Sequence, residues 1–195
     1  WRHYPPPGMI EAAAVLATDE PGLDPLRNLV VLNSLSKRSG VAGLRAGFMV
    51  GDNNVIGQYL KLVGNGGSLV PTPLLEVAAD LYDDEDHVAV IRSYYNVNFD
   101  IAAAHLRVTP PEGGFFLWLK VDDDIEFVQR LMAEKAVCAL PGSFMAVATD
   151  AGNPGSGYVR LALVHDADRT DTAIRRIAEI YQRPDQRKGF RTRWQ

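Results

Sequence analysis

With 195 residues, 47% of them hydrophobic and 23% charged, the chain carries enough apolar material for a sizeable core, as one large domain or two small ones. Its net charge of −4 gives no overall pull toward nucleic acid or an anionic membrane surface, and no apolar run approaches membrane-spanning length. The single cysteine, Cys138, excludes an intrachain disulfide framework and fits a reducing compartment, so a soluble, cytoplasmic chain is expected.

The chain opens on Trp1-Arg2-His3-Tyr4-Pro5-Pro6-Pro7-Gly8, which reads as though entered in mid-loop. An Ala-rich helical patch follows at about Ile10–Ala17, then a loop with Pro21, Gly22 and Pro25. The apolar run Leu29–Leu32 reads as a fully buried strand, too short to be a helix. At its end comes Asn33-Ser34-Leu35-Ser36-Lys37-Arg38-Ser39-Gly40, followed by a second short strand, Gly47–Val50, stopped by Gly51. Asp52 or Asn53 is placed to cap a helix with Ile56, Leu60 and Val63 on one side, expected to end at Gly64 in a flexible loop through Ser68. That glycine run has no strand before it and no Lys-Ser/Thr after it, so its pattern is a poor match to a phosphate loop. Thr72-Pro73 starts a further helix with Leu74, Ala78 and Leu81 along its stripe. After the acidic Asp83–Asp86, the positions Val88, Ile91, Tyr95, Phe99, Ala102 and Leu106 trace one face of a long helix, with the two aromatics read as core.

Beyond that helix the texture changes to strands alternating with helices. Phe115–Leu119 reads as a strand, Asp122–Asp124 as the start of a helix with Ile125, Val128, Leu131 and Met132 inward, and Ala136–Leu140 as another strand. Cys138 is expected there as a buried, inert thiol. Gly157–Val164 is the last strand, and a last helix carries Ile174, Ile177 and Tyr181 and stops before Pro184. The basic tail from Arg183 has little to bury and is expected to be solvated or disordered.

Metal chemistry is not expected, because His3, His87, His105 and His165 are scattered and no second cysteine joins them. No serine sits in a Gly-x-Ser-x-Gly elbow. The residue that draws chemistry is Lys37. A lysine becomes nucleophilic when desolvated or faced by positive charge, and Arg38 and Arg45 stand nearby in sequence. Ser34 and Ser36 offer hydroxyls suited to a phosphate, and Arg45 can grip one bidentately. Together they describe a site for a phosphorylated carbonyl cofactor, and pyridoxal 5'-phosphate, held by a lysine Schiff base, is such a molecule. Arg160 stands mid-strand in an apolar run, where it calls for a carboxylate, either an internal Asp or Glu or that of a substrate.

Ser34-Leu35-Ser36-Lys37 followed by Gly43-Leu44-Arg45-Ala46-Gly47 resembles the cofactor-lysine signature of class I/II aminotransferases, the fold-type I pyridoxal-phosphate enzymes. Arg160 on a late strand, Pro111-Glu112-Gly113-Gly114-Phe115-Phe116-Leu117-Trp118 and Leu140-Pro141-Gly142-Ser143-Phe144 are similar to that family's C-terminal region. The resemblance implies an α/β fold: residues 1–86 the remainder of a large cofactor domain, 87–106 an interdomain helix, 107–182 a small α+β domain and 183–195 a tail. It implies Lys37 as the catalytic, cofactor-holding residue, with Ser34, Ser36 and Arg45 on the cofactor phosphate and Arg160 on the substrate carboxylate. Amino acid and 2-oxo acid substrates and a homodimer, with no nucleic acid or membrane partner, are implied with them.

Within the family the segments around Lys37, Pro141 and Asn153-Pro154-Gly155 most resemble the bacterial succinyldiaminopimelate branch, which implies amino transfer between glutamate and the keto form of succinylated diaminopimelate. Leu62–Ser68 departs from that branch, which usually has a segment bearing tyrosine or histidine there. The chain is about half a family member's length and resembles the C-terminal half. The glycine-rich phosphate turn, the stacking aromatic and the aspartate that pairs with the pyridine nitrogen belong to the other half. The isolated chain is therefore expected to turn over little. A different aminotransferase, a decarboxylase or lyase of the same fold, and a non-catalytic remnant are the alternative readings.

Overall fold

The computed structural model describes residues 26–67 and 69–182. The expectations for the proline-rich opening, for Ser68 and for the basic tail lie outside these residues. The chain divides into two compact units between Arg92 and Ser93.

The first unit is built on a hairpin. Strand β1 (Val30–Ser34) pairs antiparallel with β2 (Gly47–Gly51), with Val30 opposite Gly51 and Ser34 opposite Gly47. Helix α1 (Leu35–Arg38) is a single turn that begins where β1 stops, and a 3-10 turn at Ala42–Leu44 leads back into β2. Asp52 then caps helix α2 (Asn53–Gly66), accepting hydrogen bonds from the Asn54 and Val55 N–H groups. The same carboxylate accepts from Asn28 N–H at 2.8 Å, which ties the chain ahead of β1 to the start of α2. Those backbone hydrogen bonds, the one from Asn28 foremost, hold the Asp52 carboxyl below its ordinary value. Helix α3 (Thr72–Asp83) starts with Pro73 in its first turn, where a missing N–H leaves nothing unsatisfied. The core of this unit is small: Leu35, Ala46 and Ala78 are buried, with Val41, Leu44, Val70, Leu81 and Tyr82 packed around them.

Two expectations change here. The apolar run of β1 is not buried: Leu32 is 72% and Val30 37% exposed. An unbroken apolar run reads as a strand covered on both faces, but among the described residues β1 has only β2 as a neighbour. The glycines after Val63 do not end α2. The helix continues through Gly66, and the stop is Gly67, in the left-handed conformation at φ 68° that glycine adopts without a Cβ clash.

Helix α4 (Asp86–Leu106) carries the division between the units. From Ser93 on, the second unit is a three-stranded antiparallel sheet with helices on one face. The strands are β3 (Phe116–Lys120), β4 (Leu140–Pro141) and β5 (Tyr158–Ala162), in the order β3-β5-β4. Helix α5 (Asp124–Lys135) follows β3, and α6 (Ala167–Tyr181) follows β5. Alternation along the strands sends Leu117, Leu119, Val159 and Leu161 to one face, where they meet Phe99, Ala102, Leu106, Phe127, Leu131, Ile174, Ile177 and Ile180. Each buried Val, Leu, Ile or Phe among them contributes about 1.5–3 kcal/mol. The other face carries Phe116, Trp118, Tyr158 and Arg160.

The helical stripe of α5 differs from expectation. Phe127 and Leu131 are buried, whereas Ile125 and Met132 are 41% and 51% exposed. The expected strand Ala136–Leu140 is also shorter. Ala136 caps α5 in the left-handed region at φ 53°, and only Leu140 and Pro141 pair with β5. Cys138 is consequently exposed, not buried in a strand. No described helix is long and apolar enough to cross a membrane.

Candidate active site

The lysine-bearing stretch is a strand end converted into one helical turn. Ser34 has extended backbone and its Oγ accepts a hydrogen bond from Ser36 N–H at 3.2 Å, satisfying one of the open donors at a helix start. Leu35 is fully buried, and its N–H donates to Ala46 O at 3.2 Å. That bond joins the turn carrying Ser34, Ser36 and Lys37 to the segment carrying Arg45. Because Ser34 pairs with Gly47 across the hairpin, all four residues lie at the same end of it.

Arg45 holds an unusual backbone. It sits at φ 55°, ψ 31°, the left-handed region that costs a side-chain-bearing residue on the order of 1 kcal/mol. Its Nη1 donates to Ala42 O at 3.0 Å, and the rest of its fork stays with an exposed side chain. Lys37 is also exposed, and Ser36 is half-buried. Gly47 matters for a different reason. A Cβ there would stand 2.4 Å from Asn33 O, so only glycine lets β2 approach β1 beside Ser34.

Arg160 lies in the other unit, mid-way along β5, directly between Trp118 of β3 and Leu140 of β4. It is half-buried, with its guanidinium carbon 4.5 Å from the centre of the Phe116 ring. Trp118 stacks on Tyr158 beside it, ring centres 5.6 Å apart and 15° from parallel. No carboxylate among the described residues pairs with Arg160. Of the two partners its sequence position allowed, the internal one is therefore not found among these residues.

Three groups whose supporting contacts the sequence did not show brace this frame. Arg38 and Ser39 are buried behind Lys37: Arg38 donates to Leu81 O and Tyr82 O, and Ser39 Oγ lies 2.9 Å from His87 Nε2. Asn98, 1% exposed on α4, donates to Leu163 O and His165 O and fixes the chain just beyond β5. Asp124 accepts from Ser143 N–H and Gly157 N–H, tying α5 to the loops on either side of β5's entry. The available signals were an acidic residue three ahead of His87 at a helix start, and an asparagine inside an apolar helical stripe. Among the described residues no cluster of three or more metal-ligating side chains occurs.

Comparison with known proteins places the chain in a family. The family described as "Aminotransferase class I and II" matches residues 7–177, and the chain belongs to that family. It is 31% identical over 154 residues to the 4-dedimethylamino-4-oxo-anhydrotetracycline transaminase OxyQ of Streptomyces rimosus, covering 76% of this chain and 41% of that protein. It is 30% identical over 161 residues to the LL-diaminopimelate aminotransferase of Natranaerobius thermophilus, covering 78% and 40%. Among solved structures, an aminotransferase from Neisseria meningitidis superposes with a TM-score of 0.78 at 37% identity, over 80% of this chain and 42% of that one. The chain thus spans about two fifths of the length of the proteins it matches. Its mixed helix-and-strand fold is that of the corresponding part of fold-type I aminotransferases.

Proposed function

We propose that this chain forms part of a pyridoxal-phosphate-dependent aminotransferase in which Lys37 holds the cofactor. The observation that carries the reading is the gathering of Ser34, Ser36, Lys37 and Arg45 at one end of the hairpin in a chain of this family. The donor set fits the group. Ser34 uses an Oγ lone pair for Ser36 N–H and keeps its O–H to donate. Arg45 engages Ala42 O through Nη1 and has further N–H groups for a phosphate. Lys37 Nζ is the amine for the cofactor's carbonyl carbon.

When bound, the cofactor supplies an electron sink for the charge left as the substrate Cα loses its proton. The chain's own residues do the rest. Lys37 Nζ takes that proton and holds it, as a general base beside the reacting carbon. Arg160 takes the substrate α-carboxylate with its two-pronged guanidinium, and Phe116 backs the guanidinium so that the carboxylate is received in one orientation.

For the substrate, the keto form of succinylated diaminopimelate, with glutamate as amino donor, is the reading supported by the segments around Lys37, Pro141 and Asn153. A relative named for LL-diaminopimelate stands beside it. A second reading, another amino or keto acid, rests on the equally similar relative named for a tetracycline intermediate. In either case residues 1–86 belong to a cofactor domain, 87–106 to an interdomain helix and 107–182 to a small domain of a cytoplasmic homodimer.

The test is to mix the chain with pyridoxal phosphate, reduce with borohydride and map the labelled peptide. Label on Lys37 is expected. Label on any other lysine instead would overturn the assignment.

A further inference from the structure

Helix α1 is four residues long, and a single turn is too short to hold its own shape, because many backbone dihedrals are fixed for very few hydrogen bonds. At its end Ser39 N–H donates to Leu35 O at 3.0 Å. Lys37 would therefore sit on a loose support unless both flanks were fixed from outside. The front flank is fixed by the Ser34 cap and by buried Leu35.

The rear flank is fixed by Arg38 and Ser39, each 8% exposed. Arg38 Nη1 donates to Leu81 O at 2.6 Å and Nη2 to Tyr82 O at 3.3 Å. These carbonyls lie in the last turn of α3, where acceptors have no partner within the helix and the helix dipole favours a cation. Arg38 also pairs with Glu85 and lies 5.3 Å from the centre of the Tyr82 ring. Ser39 Oγ stands 3.4 Å from Arg38 Nη1 and 2.9 Å from His87 Nε2, and His87 Nδ1 is 2.8 Å from Asp84 Oδ2. Asp84 Oδ1 in turn accepts from Asp86 N–H at the start of α4. The hydrogens of this chain can all run one way. Arg38 donates to Ser39 Oγ, the Ser39 O–H donates to His87 Nε2, and His87 Nδ1–H donates to Asp84. The hydrogen bond from His87 is the foremost of the interactions holding the Asp84 carboxyl below its ordinary value. The order serine, histidine, aspartate is that of a hydrolytic triad. Here, however, Ser39 is buried with its Oγ bonded on both sides, which suits it to hold and not to attack.

We propose that Ser39 is a positioning residue for Lys37: through His87 it hooks the lysine-bearing turn to the junction of α3 and α4, a role that rests on the cofactor reading above. With the backbone pinned two residues after it, the lysine amine sweeps a narrower arc. Such restriction is what places a reacting nitrogen within reach of its partner.

The test compares the unsubstituted chain with Ser39→Ala, Ser39→Thr and His87→Ala after loading with pyridoxal phosphate. Borohydride labelling reports attachment at Lys37, the circular dichroism of the bound chromophore reports its orientation, and amide exchange at residues 35–39 reports the turn. Ser39→Ala and His87→Ala are expected to keep Lys37 as the labelled residue, to lower the dichroism per label at least twofold and to speed exchange about fivefold, as loss of one buried hydrogen bond does. Ser39→Thr keeps the hydroxyl and is expected to restore both signals. Lys37 labelled with unchanged dichroism in Ser39→Ala overturns the positioning role and leaves the cofactor reading intact. An unsubstituted chain without label at Lys37 removes the cofactor reading and the positioning role with it. Faster exchange with unchanged dichroism shows a tie that orients nothing, which also overturns the proposal.

Discussion

Arg160 rests its guanidinium 4.5 Å from the centre of the Phe116 ring, one strand over on the sheet face turned away from the core. The ring face carries the negative end of the aromatic quadrupole, so it attracts the cation without consuming any of its N–H groups. The arginine is thus held in place while its donors stay available to a carboxylate. Replacing Phe116 with leucine removes the quadrupole and keeps most of the apolar contact. On the proposed reading, we expect binding of a 2-oxo acid to weaken by about 2–5-fold, the size of a partly exposed cation–π contact of about 0.5–1 kcal/mol. Arg160→Lys should cost more, at least about tenfold, because a lysine cannot meet a carboxylate with two parallel bonds. Titration of both variants with a 2-oxo acid checks this, and equal affinity across the three proteins would remove Arg160 from the carboxylate site.

Asp124 predicts an acid-sensitive joint in the second unit. It is 3% exposed, and burial, the largest influence, pushes its carboxyl up. The hydrogen bonds from Ser143 and Gly157 outweigh burial, so its pKa is lowered overall. A carboxyl lowered on folding contributes stability that is fully present above its unfolded value near 3.8 and is lost as pH falls through the lower folded value. Asp124→Asn should therefore be less stable than the native chain at neutral pH and should show a flatter decline below about pH 4. Urea unfolding at a series of pH values from 7 to 2.5 measures this, and parallel declines for the two proteins would refute it.

Gly47 predicts a steric limit on the lysine site. A Cβ at this position would meet Asn33 O at 2.4 Å and Ser34 Cα at 3.3 Å, and both are backbone atoms that cannot rotate away. Gly47→Ala must push β2 off β1 at the residue pair that positions Ser34, at an expected cost of about 1–3 kcal/mol. Thermal unfolding and Lys37 labelling should fall together in this variant. Gly57→Ala, inside α2 where a Cβ meets nothing within 4 Å, is the control that should leave labelling unchanged and not lower the thermal midpoint.

How much of this was legible in the chain depends on what each residue's role requires. Helix starts were readable at Asp52 and Thr72-Pro73, because capping is local chemistry. The face of α5 was not. Ile125, Phe127, Val128, Leu131 and Met132 spread around so much of the helix that spacing alone does not choose, and the sheet above it selects Phe127 and Leu131. The exposure of Leu32 was hidden for the opposite reason, since an apolar run says which surface wants covering and not what covers it. At the site, Ser34, Ser36, Lys37 and Arg45 could be grouped by short spacing. Ser39 and His87 stand 48 residues apart in sequence, and no local pattern joins them. The left-handed backbone of Arg45 is likewise a product of the 3-10 turn closing on β2, a tertiary fact.

Cys138 gives the last prediction. Its segment carries no polar residue between Ala136 and Pro141, which is why it reads as a buried strand, yet pairing with β5 stops at Leu140. Beyond that point the segment parts from β5, and a cavity of about 570 Å³ opens there, lined by Cys138, Ala162, Val164, Thr170, Arg169 and Arg176 among others. An exposed thiol reacts at the rate set by its thiolate fraction, not by unfolding. The folded chain should therefore release one equivalent of chromophore from a dianionic aromatic disulfide without denaturant. The two arginines should make that reagent faster than a neutral disulfide, by an advantage that shrinks as salt rises. Arg169→Gln and Arg176→Gln should reduce the same advantage while leaving the neutral reagent's rate alone. Modification that waits for denaturant would return Cys138 to the buried state its sequence suggests.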